Sequence, residues 1–314
     1  MTVPGDTAAP ADRAPSDPAS PHPASARAQI RITGLWSLPG ANYWSRRPVT
    51  RLDLAVGTYE EIPSDAVEGF TARLVAALPG LAAHHCSPGR PGGFVERLER
   101  GTYAPHIIEH VALELQGMVG DDVGYGRTRG AERPACYVVA FAHGHAAVGR
   151  AAALQATALV RDAFDGVPLR PDAALEVLRA ARALPDDPAP TARVRIGVCG
   201  ASDLADGELL AWLARVAPGA ADGASGQDVV RVPPGALVTR GLPYAASQVA
   251  VVLDDSAAPV GFRAPERTVQ LLSVMVDGLA PGGRLVCPAG ATELAAYAAE
   301  RGVRVSEFGK GEFE

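Results

Sequence analysis

Two histidines and a glutamate stand close together in the segment 102–116, which reads TYAPHIIEHVALELQ. His106 and His110 are four residues apart, and Glu109 directly precedes the second histidine. On a helix, residues four apart lie one above the other, so both imidazoles could reach one metal ion. Glu109, on an adjoining face, could take a proton from a water whose pKa zinc lowers to about 7. The spacing is the inverted zinc-peptidase arrangement and predicts a hydrolytic zinc site.

A catalytic zinc site needs a third protein ligand. Glu114 is the first candidate, because it lies four residues beyond His110 and continues the same helix face. His84, His85 and Cys86 on the preceding loop are alternatives. The sequence does not choose among these four residues.

The same segment also fits a helix that binds no metal. Ile107, Ile108, Val111 and Leu115 form a separate apolar stripe at helical spacing. An amphipathic helix with a polar far side would give this pattern. A motif with three fixed positions also arises by chance.

Three arginines are candidates for binding a carboxylate substrate. Arg46 and Arg47 lie in WSRRP, and Arg90 lies in the glycine-rich PGRPGG. Each could form a charge-assisted pair with an acidic group. Surface arginines more commonly remain solvated or pair locally, which is the alternative for all three.

Two further pairs have weaker functional patterns. His143 and His145 would share one face of a strand and could bind metal, although a solvated strand end is the simpler interpretation. Asp254 and Asp255 end an apolar strand, where open α/β sheets commonly place their sites.

Composition excludes several classes of function. The chain has 314 residues, 47% of them apolar, with a net charge of −6. That charge gives no general attraction to nucleic acid, and no apolar run is long enough to span a membrane. The four cysteines form no closely spaced pair, which favours a reducing, cytoplasmic location over a disulfide framework.

Patterning predicts two folded units. Residues 1–28 are rich in Pro, Ala, Ser and Asp, and we expect a disordered tail. Strand and helix patterns then predict an α+β domain over 29–183. A proline-rich linker spans 184–193, and alternating apolar strands and helices predict an α/β domain with a parallel sheet over 194–314.

Three stretches carry a resemblance to a known family. NYWSRRPV, LPGLAAHHCSPGRPGGFVERLERGTYAPHIIEHVALELQ and VGYGRTR resemble the N-terminal domain of cyanophycin synthetase over roughly 29–183. That family makes a polyaspartate carrying arginine on each side chain. The resemblance implies a cyanophycin-like Asp/Arg polymer as partner. It also implies a metallopeptidase-like site, formed by His106, Glu109 and His110, which trims polymer into primers.

The second unit is similar to the Mur-ligase-like region of the same family, in GALVTRGLPYAASQVAVVLDD and LAPGGRLVCPAG. The family's ATP-grasp domain is missing between the two units. Leu204 stands where the phosphate loop would have lysine, and Ala205 where it would have a magnesium-binding hydroxyl. Asp203 and Asp206 would repel phosphates. The resemblance therefore implies a degenerate domain, and we expect no ATP binding.

Two hypotheses follow for the function. The first is a zinc-dependent hydrolase that acts on cyanophycin or a related polymer, without ligase activity. The alternative is a non-catalytic polymer-binding scaffold that partners a separate ATP-dependent ligase. A homo-oligomer is compatible with both.

Overall fold

The computed structural model describes residues 30–86, 89–200, 204–254 and 265–309. It contains a four-stranded antiparallel sheet in the order β1-β2-β4-β3, followed by a five-stranded parallel sheet in the order β6-β5-β7-β8-β9. The predicted fold class, an α+β unit and then an α/β unit, is confirmed. The predicted tail over 1–28 lies outside the described residues.

The first unit combines the antiparallel sheet with five helices in the described part of the chain. Its elements are β1 (Arg31–Leu38), β2 (Val49–Ala55), α1 (Phe70–Ala77), α2 (Gly93–Glu99), α3 (Ala104–Met118), β3 (Gly126–Gly130), β4 (Cys136–Ala142), α4 (Ala146–Phe164) and α5 (Pro171–Arg182). The segment SDAVEGFTARLVAALPGL predicts a helix that starts near Ser64, but the α-helix begins at Phe70, because Gly69 has a left-handed backbone, with φ of 65°.

Alternation along β4 gives the antiparallel sheet two covered faces. Val139 and Phe141 point into the core formed with α3 and α4. Ala140, between them, belongs to a different core that includes residues of the second unit. Successive strand residues point to opposite faces, so one face of the sheet packs on helices and the other on the parallel-sheet unit.

The second unit alternates strands and helices. Its elements are β5 (Arg193–Cys199), α6 (Asp206–Val216), β6 (Val229–Val232), α7 (Pro234–Thr239), β7 (Ala246–Val252), α8 (Pro265–Asp277), β8 (Leu279–Pro288), α9 (Thr292–Ala299) and β9 (Arg304–Phe308). The β3, β6 and α7 elements were not predicted. All three are short, so their apolar periodicity is too brief to identify them.

The two units share buried contacts. Trp44 Nε1 donates to the carbonyl of Val238 at 3.2 Å, and Arg51 Nη1 donates to the same carbonyl at 3.0 Å. A Cβ on Gly40 would lie only 2.1 Å from the Leu242 carbonyl oxygen, so this close approach requires glycine. The units are therefore joined by backbone and side-chain packing as well as by the chain between them.

The segment predicted as a linker is anchored at its start. Asp186 Oδ1 accepts a hydrogen bond of 2.7 Å from the backbone N–H of Ala146, the first residue of α4. Asp187 pairs with Arg150 at 3.2 Å. A carboxylate at a helix N-terminus is stabilising, so this stretch also caps a helix of the first unit.

None of the helices in the described ranges has the length and apolar content needed to cross a bilayer.

Candidate metal centre

Helix α3 directs its histidines toward a cavity because its apolar residues face the core. Ile107, Ile108, Val111 and Leu115 are fully buried. His106 and His110 line a cavity of about 780 Å³, between α3, strand β3 and the loop that contains Cys86. The amphipathic stripe and the histidine face predicted as alternatives therefore coexist on one helix.

Three side chains form a group that could hold a metal ion. The donor atoms of Cys86, His106 and His110 all lie within 4.8 Å of one another. Cys86 Sγ is 3.5 Å from His106 Nε2. Zinc bonded tetrahedrally to sulfur and to imidazole nitrogen would separate those two atoms by about 3.6 Å. The spacing fits the ion without a large movement of either side chain.

A threonine orients the first histidine. His106 Nδ1 lies 2.9 Å from the hydroxyl oxygen of Thr102, one turn earlier. If Nδ1 carries the proton and donates it to that oxygen, Nε2 keeps its lone pair. Nε2 is the nitrogen that faces Cys86, so this hydrogen bond selects the tautomer suited to ligation.

Two polar side chains in series, Glu114 and His84, orient the second histidine. Glu114 Oε2 is 3.1 Å from His84 Nε2, and His84 Nδ1 is 3.1 Å from His110 Nδ1. The carboxylate accepts the Nε2 proton of His84, which leaves His84 Nδ1 as an acceptor. His110 therefore donates from Nδ1 and keeps the Nε2 lone pair for a ligand.

Packing fixes the second imidazole further. Phe94 from α2 stacks on His110, with ring centroids 3.9 Å apart and planes 18° from parallel. Burial lowers the pKa of His110 to about 2, with His106 and His84 adding to the effect. Burial lowers the pKa of His106 to about 4, with a contribution from Arg97. Both imidazoles are thus neutral at physiological pH, which metal ligation requires.

Glu109 lies in the same cavity, outside the group of three donors. It is buried, and its Oε2 accepts a hydrogen bond of 2.5 Å from the Thr128 hydroxyl of β3. A Cβ on Gly126 would lie 2.5 Å from Glu109 Oε1, so the glycine provides room for the carboxylate. Burial raises the pKa of Glu109 to about 7, against the opposing effect of Thr128. That value suits a general base near neutral pH.

These contacts distinguish the four residues that the sequence offered as candidates for the third ligand. Cys86 lies with the two α3 histidines. Glu114, the first candidate from sequence, is instead the partner of His84, and these two side chains orient His110. His85 lines the cavity, and its Nδ1 lies 3.2 Å from the Gly89 carbonyl oxygen.

The three predicted substrate arginines lie away from the cavity lining. Arg46 pairs with Asp277 of α8 at 2.6 Å, and Arg90 pairs with Glu96 of α2 at 2.7 Å. Arg47 is exposed, and its backbone N–H bonds the Ser45 hydroxyl. Their role in substrate binding stays a prediction, and the geometry gives it no support.

Two other arginines, Arg97 and Arg127, do line the cavity. Sequence reasoning missed them because each sits in a short segment without strong periodicity. Arg127 falls in VGYGRTR, one of the stretches that carried the family resemblance, and that was the available signal.

The remaining predicted residues are placed as follows. His143 is buried, with Nδ1 3.0 Å from the Thr50 hydroxyl oxygen, and His145 lies 3.7 Å from Asp186. The two histidines are not part of the metal-ligand group found among the described residues. Asp254 follows β7.

At the start of α6, Asp206 forms a salt bridge of 2.9 Å with Arg231. The backbone N–H of Ala205 bonds Glu208 Oε2 at 2.9 Å. Asp203 and Asp255 lie outside the described residues.

Comparison with known proteins shows what part of the first unit is similar to. Residues 51–165 match the model of the cyanophycin synthase-like N-terminal domain, and this range contains the whole cluster. Cyanophycin synthetases of Trichormus variabilis and Nostoc are each 45% identical over 140 residues, and that of Synechocystis is 44% identical. These matches cover 43% of this chain but only 15–16% of the length of each relative. Residues 51–165 are therefore similar to the N-terminal domain of cyanophycin synthetases, and the match to the family model ends before the parallel-sheet unit.

Proposed function

We propose that this protein is a zinc-dependent hydrolase that cleaves amide bonds in cyanophycin or a related Asp/Arg polymer. The observation that carries the proposal is the convergence of three donor atoms within 4.8 Å, beside a buried glutamate, in one cavity. One thiolate and two neutral imidazoles are a donor set that zinc favours. A thiolate ligand stays reduced in the cytoplasm, which is the compartment we propose.

Zinc bound to Cys86, His106 and His110 would supply a Lewis acid that polarises the substrate carbonyl and lowers the pKa of water. Three protein ligands leave a fourth position open, as catalytic zinc sites require. The residues fit this ion because their hydrogen bonds leave both imidazole Nε2 lone pairs available.

Glu109 has the role of general base. It takes one proton from the attacking water as the new C–O bond forms at the amide carbon. It then gives that proton to the leaving nitrogen as the C–N bond breaks, so that the products are a carboxylic acid and an amine. The raised pKa of Glu109 permits both transfers near neutral pH. The Thr128 hydroxyl holds the carboxylate in place.

The substrate class follows from the charges in the cavity and from the relatives. Arg97 and Arg127 line the cavity and can pair with carboxylates. Each cyanophycin unit presents a carboxylate on its arginine branch. The relatives are named cyanophycin synthetases, which makes this polymer the first substrate to test.

The test combines a metal assay with a matched variant. We expect about one zinc per chain in purified protein, and cleavage of cyanophycin to shorter chains. Glu109→Gln should retain the zinc and lose at least ~100-fold in rate, because only the proton acceptor is removed. Protein without zinc, or a Glu109→Gln variant of undiminished activity, would refute the proposal.

A polymer-binding scaffold that serves a separate ATP-dependent ligase is the second candidate. Leu204 and Ala205 favour it, because the family's phosphate loop has lysine and a hydroxyl residue at these positions. The same experiments discriminate between the two functions. A scaffold would bind cyanophycin with no zinc and no cleavage.

A further inference from the structure

Strand β3 forms one edge of the antiparallel sheet and also borders the metal cavity. Its only partner among the described strands is β4. Gly126, Arg127 and Thr128 line the cavity together with the cluster residues. Four of the five β3 residues are partly exposed, and Gly130 is exposed. The strand therefore presents an accessible edge directly beside the candidate reaction centre.

The hydrogen-bond register shows which backbone groups face outward. The N–H of Ala142 donates to the carbonyl of Tyr125 at 2.8 Å, and the N–H of Ala131 donates to the carbonyl of Cys136 at 2.8 Å. In an antiparallel pair, alternate residues direct both backbone groups to the partner strand. Odd-numbered residues of this stretch therefore face β4.

The N–H and C=O groups of Gly126, Thr128 and Gly130 consequently point away from the sheet. Edge groups of this kind are a template for one more strand. Thr128 is also the residue that holds Glu109, so a chain paired with its backbone would pass next to the base.

We propose that the substrate binds as an additional β-strand on this edge, with its backbone bonded to Gly126, Thr128 and Gly130. The occupant is an extended polypeptide that carries carboxylates on its side chains. This rests on the proposed function, which gives the occupant a scissile amide to present to the cluster.

Charge supports the choice of occupant. Arg127 and Arg129 alternate with Thr128, so their side chains share the sheet face opposite to the Thr128 side chain, and Arg127 also borders the cavity. In an added strand, the residues opposite these arginines would direct their side chains to that same face. Carboxylates at every second position would then meet two guanidinium groups. In a polyaspartate that carries arginine on each side chain, every branch has a free α-carboxylate as well as a guanidinium, so a carboxylate is available at each of those positions.

Gly130 offers a clean test because its N–H points outward and it lies outside the cavity lining. Proline at an edge position removes an outward N–H without breaking the ladder to β4. Gly130→Pro therefore deletes one docking hydrogen bond. Gly130→Ala is the matched control, because it keeps the N–H and its Cβ would have no atom within 4 Å.

The measurement is isothermal titration of a synthetic cyanophycin decamer into zinc-loaded Glu109→Gln protein, with either residue at position 130. We expect Gly130→Pro to bind about five- to tenfold more weakly than Gly130→Ala, the effect of one net hydrogen bond. Equal dissociation constants, or no binding of the decamer to either protein, would overturn the edge proposal. If the ratio holds but wild-type protein never cleaves the decamer, the edge proposal stands and the hydrolase proposal fails.

Discussion

Glu114 and His84 are joined by a 3.1 Å contact between Oε2 and Nε2, although 30 residues separate them in the sequence. The contact links the third turn of α3 to the loop before α2. Through His84 it sets which nitrogen of His110 is free to bind an ion. Glu114 therefore influences the candidate metal site indirectly, through the side chain of His84.

Replacing Glu114 should weaken zinc binding without abolishing it. We expect Glu114→Gln to lose about 10- to 100-fold in zinc affinity, because outer partners of a ligating histidine tune its orientation and basicity. Competition with a chromogenic chelator measures this change. His106→Ala is the comparison, since loss of a direct ligand should be much larger. Equal losses in the two variants would show that Glu114 binds the ion itself.

Replacing Cys86 tests the third ligand directly. Cys86→Ser should lower zinc affinity strongly, because an alcohol is a far poorer zinc ligand than a thiolate. Cobalt substitution gives an independent readout, since a cobalt–thiolate bond produces an intense near-ultraviolet charge-transfer band. We expect that band in wild-type protein and its loss in Cys86→Ser. A band that persists in the variant would exclude Cys86 as a ligand.

The cavity arginines should matter for substrate affinity, whereas Arg90 should not. Arg127→Gln removes a guanidinium at the border of the cavity, and we expect KM for cyanophycin to rise about tenfold. Arg90→Gln removes a group that is paired with Glu96 at the surface, and KM should change less than twofold. Steady-state kinetics with both variants decide the matter. A larger effect at Arg90 would restore the assignment made from sequence.

Substitutions of Trp44 and Arg46, which both contact the second unit, should have very different effects on the free energy of unfolding. Trp44 is buried in the shared core, and Trp44→Ala should cost about 3–5 kcal/mol of unfolding free energy. Arg46 is 62% exposed, so Arg46→Ala should cost less than about 1 kcal/mol despite its pair with Asp277. Urea denaturation measures both. A large loss of turnover in Arg46→Ala with unchanged stability would instead indicate contact with substrate.

The buried His143 makes the fold sensitive to acid. Burial lowers its pKa to about 4, whereas the unfolded chain has the ordinary value of 6.5. The unfolded state therefore binds the proton more readily, and stability falls as the pH drops from 6.5 through 4. His143→Gln should reduce that fall by about 2–3 kcal/mol. Unfolding free energies at pH 7 and pH 4 test the difference, and an identical pH dependence in the variant would contradict it.

Much of the site could be predicted from spacing alone. The i, i+4 relation of His106 and His110 and the adjoining position of Glu109 follow from helix geometry. The third member could not be singled out from its four candidates, because Cys86 reaches the cluster through a loop whose course no local pattern encodes. Glu114 continues the histidine face in sequence, yet His84 approaches it from another segment and becomes its partner.

In the fold too, features set by local periodicity could be predicted from sequence, whereas features set by tertiary contacts could not. Strong periodicity predicts α4, α5 and four strands of the parallel sheet, namely β5, β7, β8 and β9, but not β6. The β3 strand was missed because GRTRG has no apolar alternation. Its place in the sheet is fixed by pairing with β4, which is a tertiary contact and leaves no trace in local propensity.

The carbonyl of Val238 receives hydrogen bonds from both Trp44 and Arg51, which belong to the other unit. Truncation of the chain near residue 190 would remove the acceptor of both hydrogen bonds. It would also expose the apolar face of the antiparallel sheet that packs on the second unit. Without the parallel-sheet unit, the first unit would expose this apolar face to water, and we expect such a truncated protein to aggregate. Covering this face is a physical reason for the two units to remain in one polypeptide, independent of any activity of the second unit.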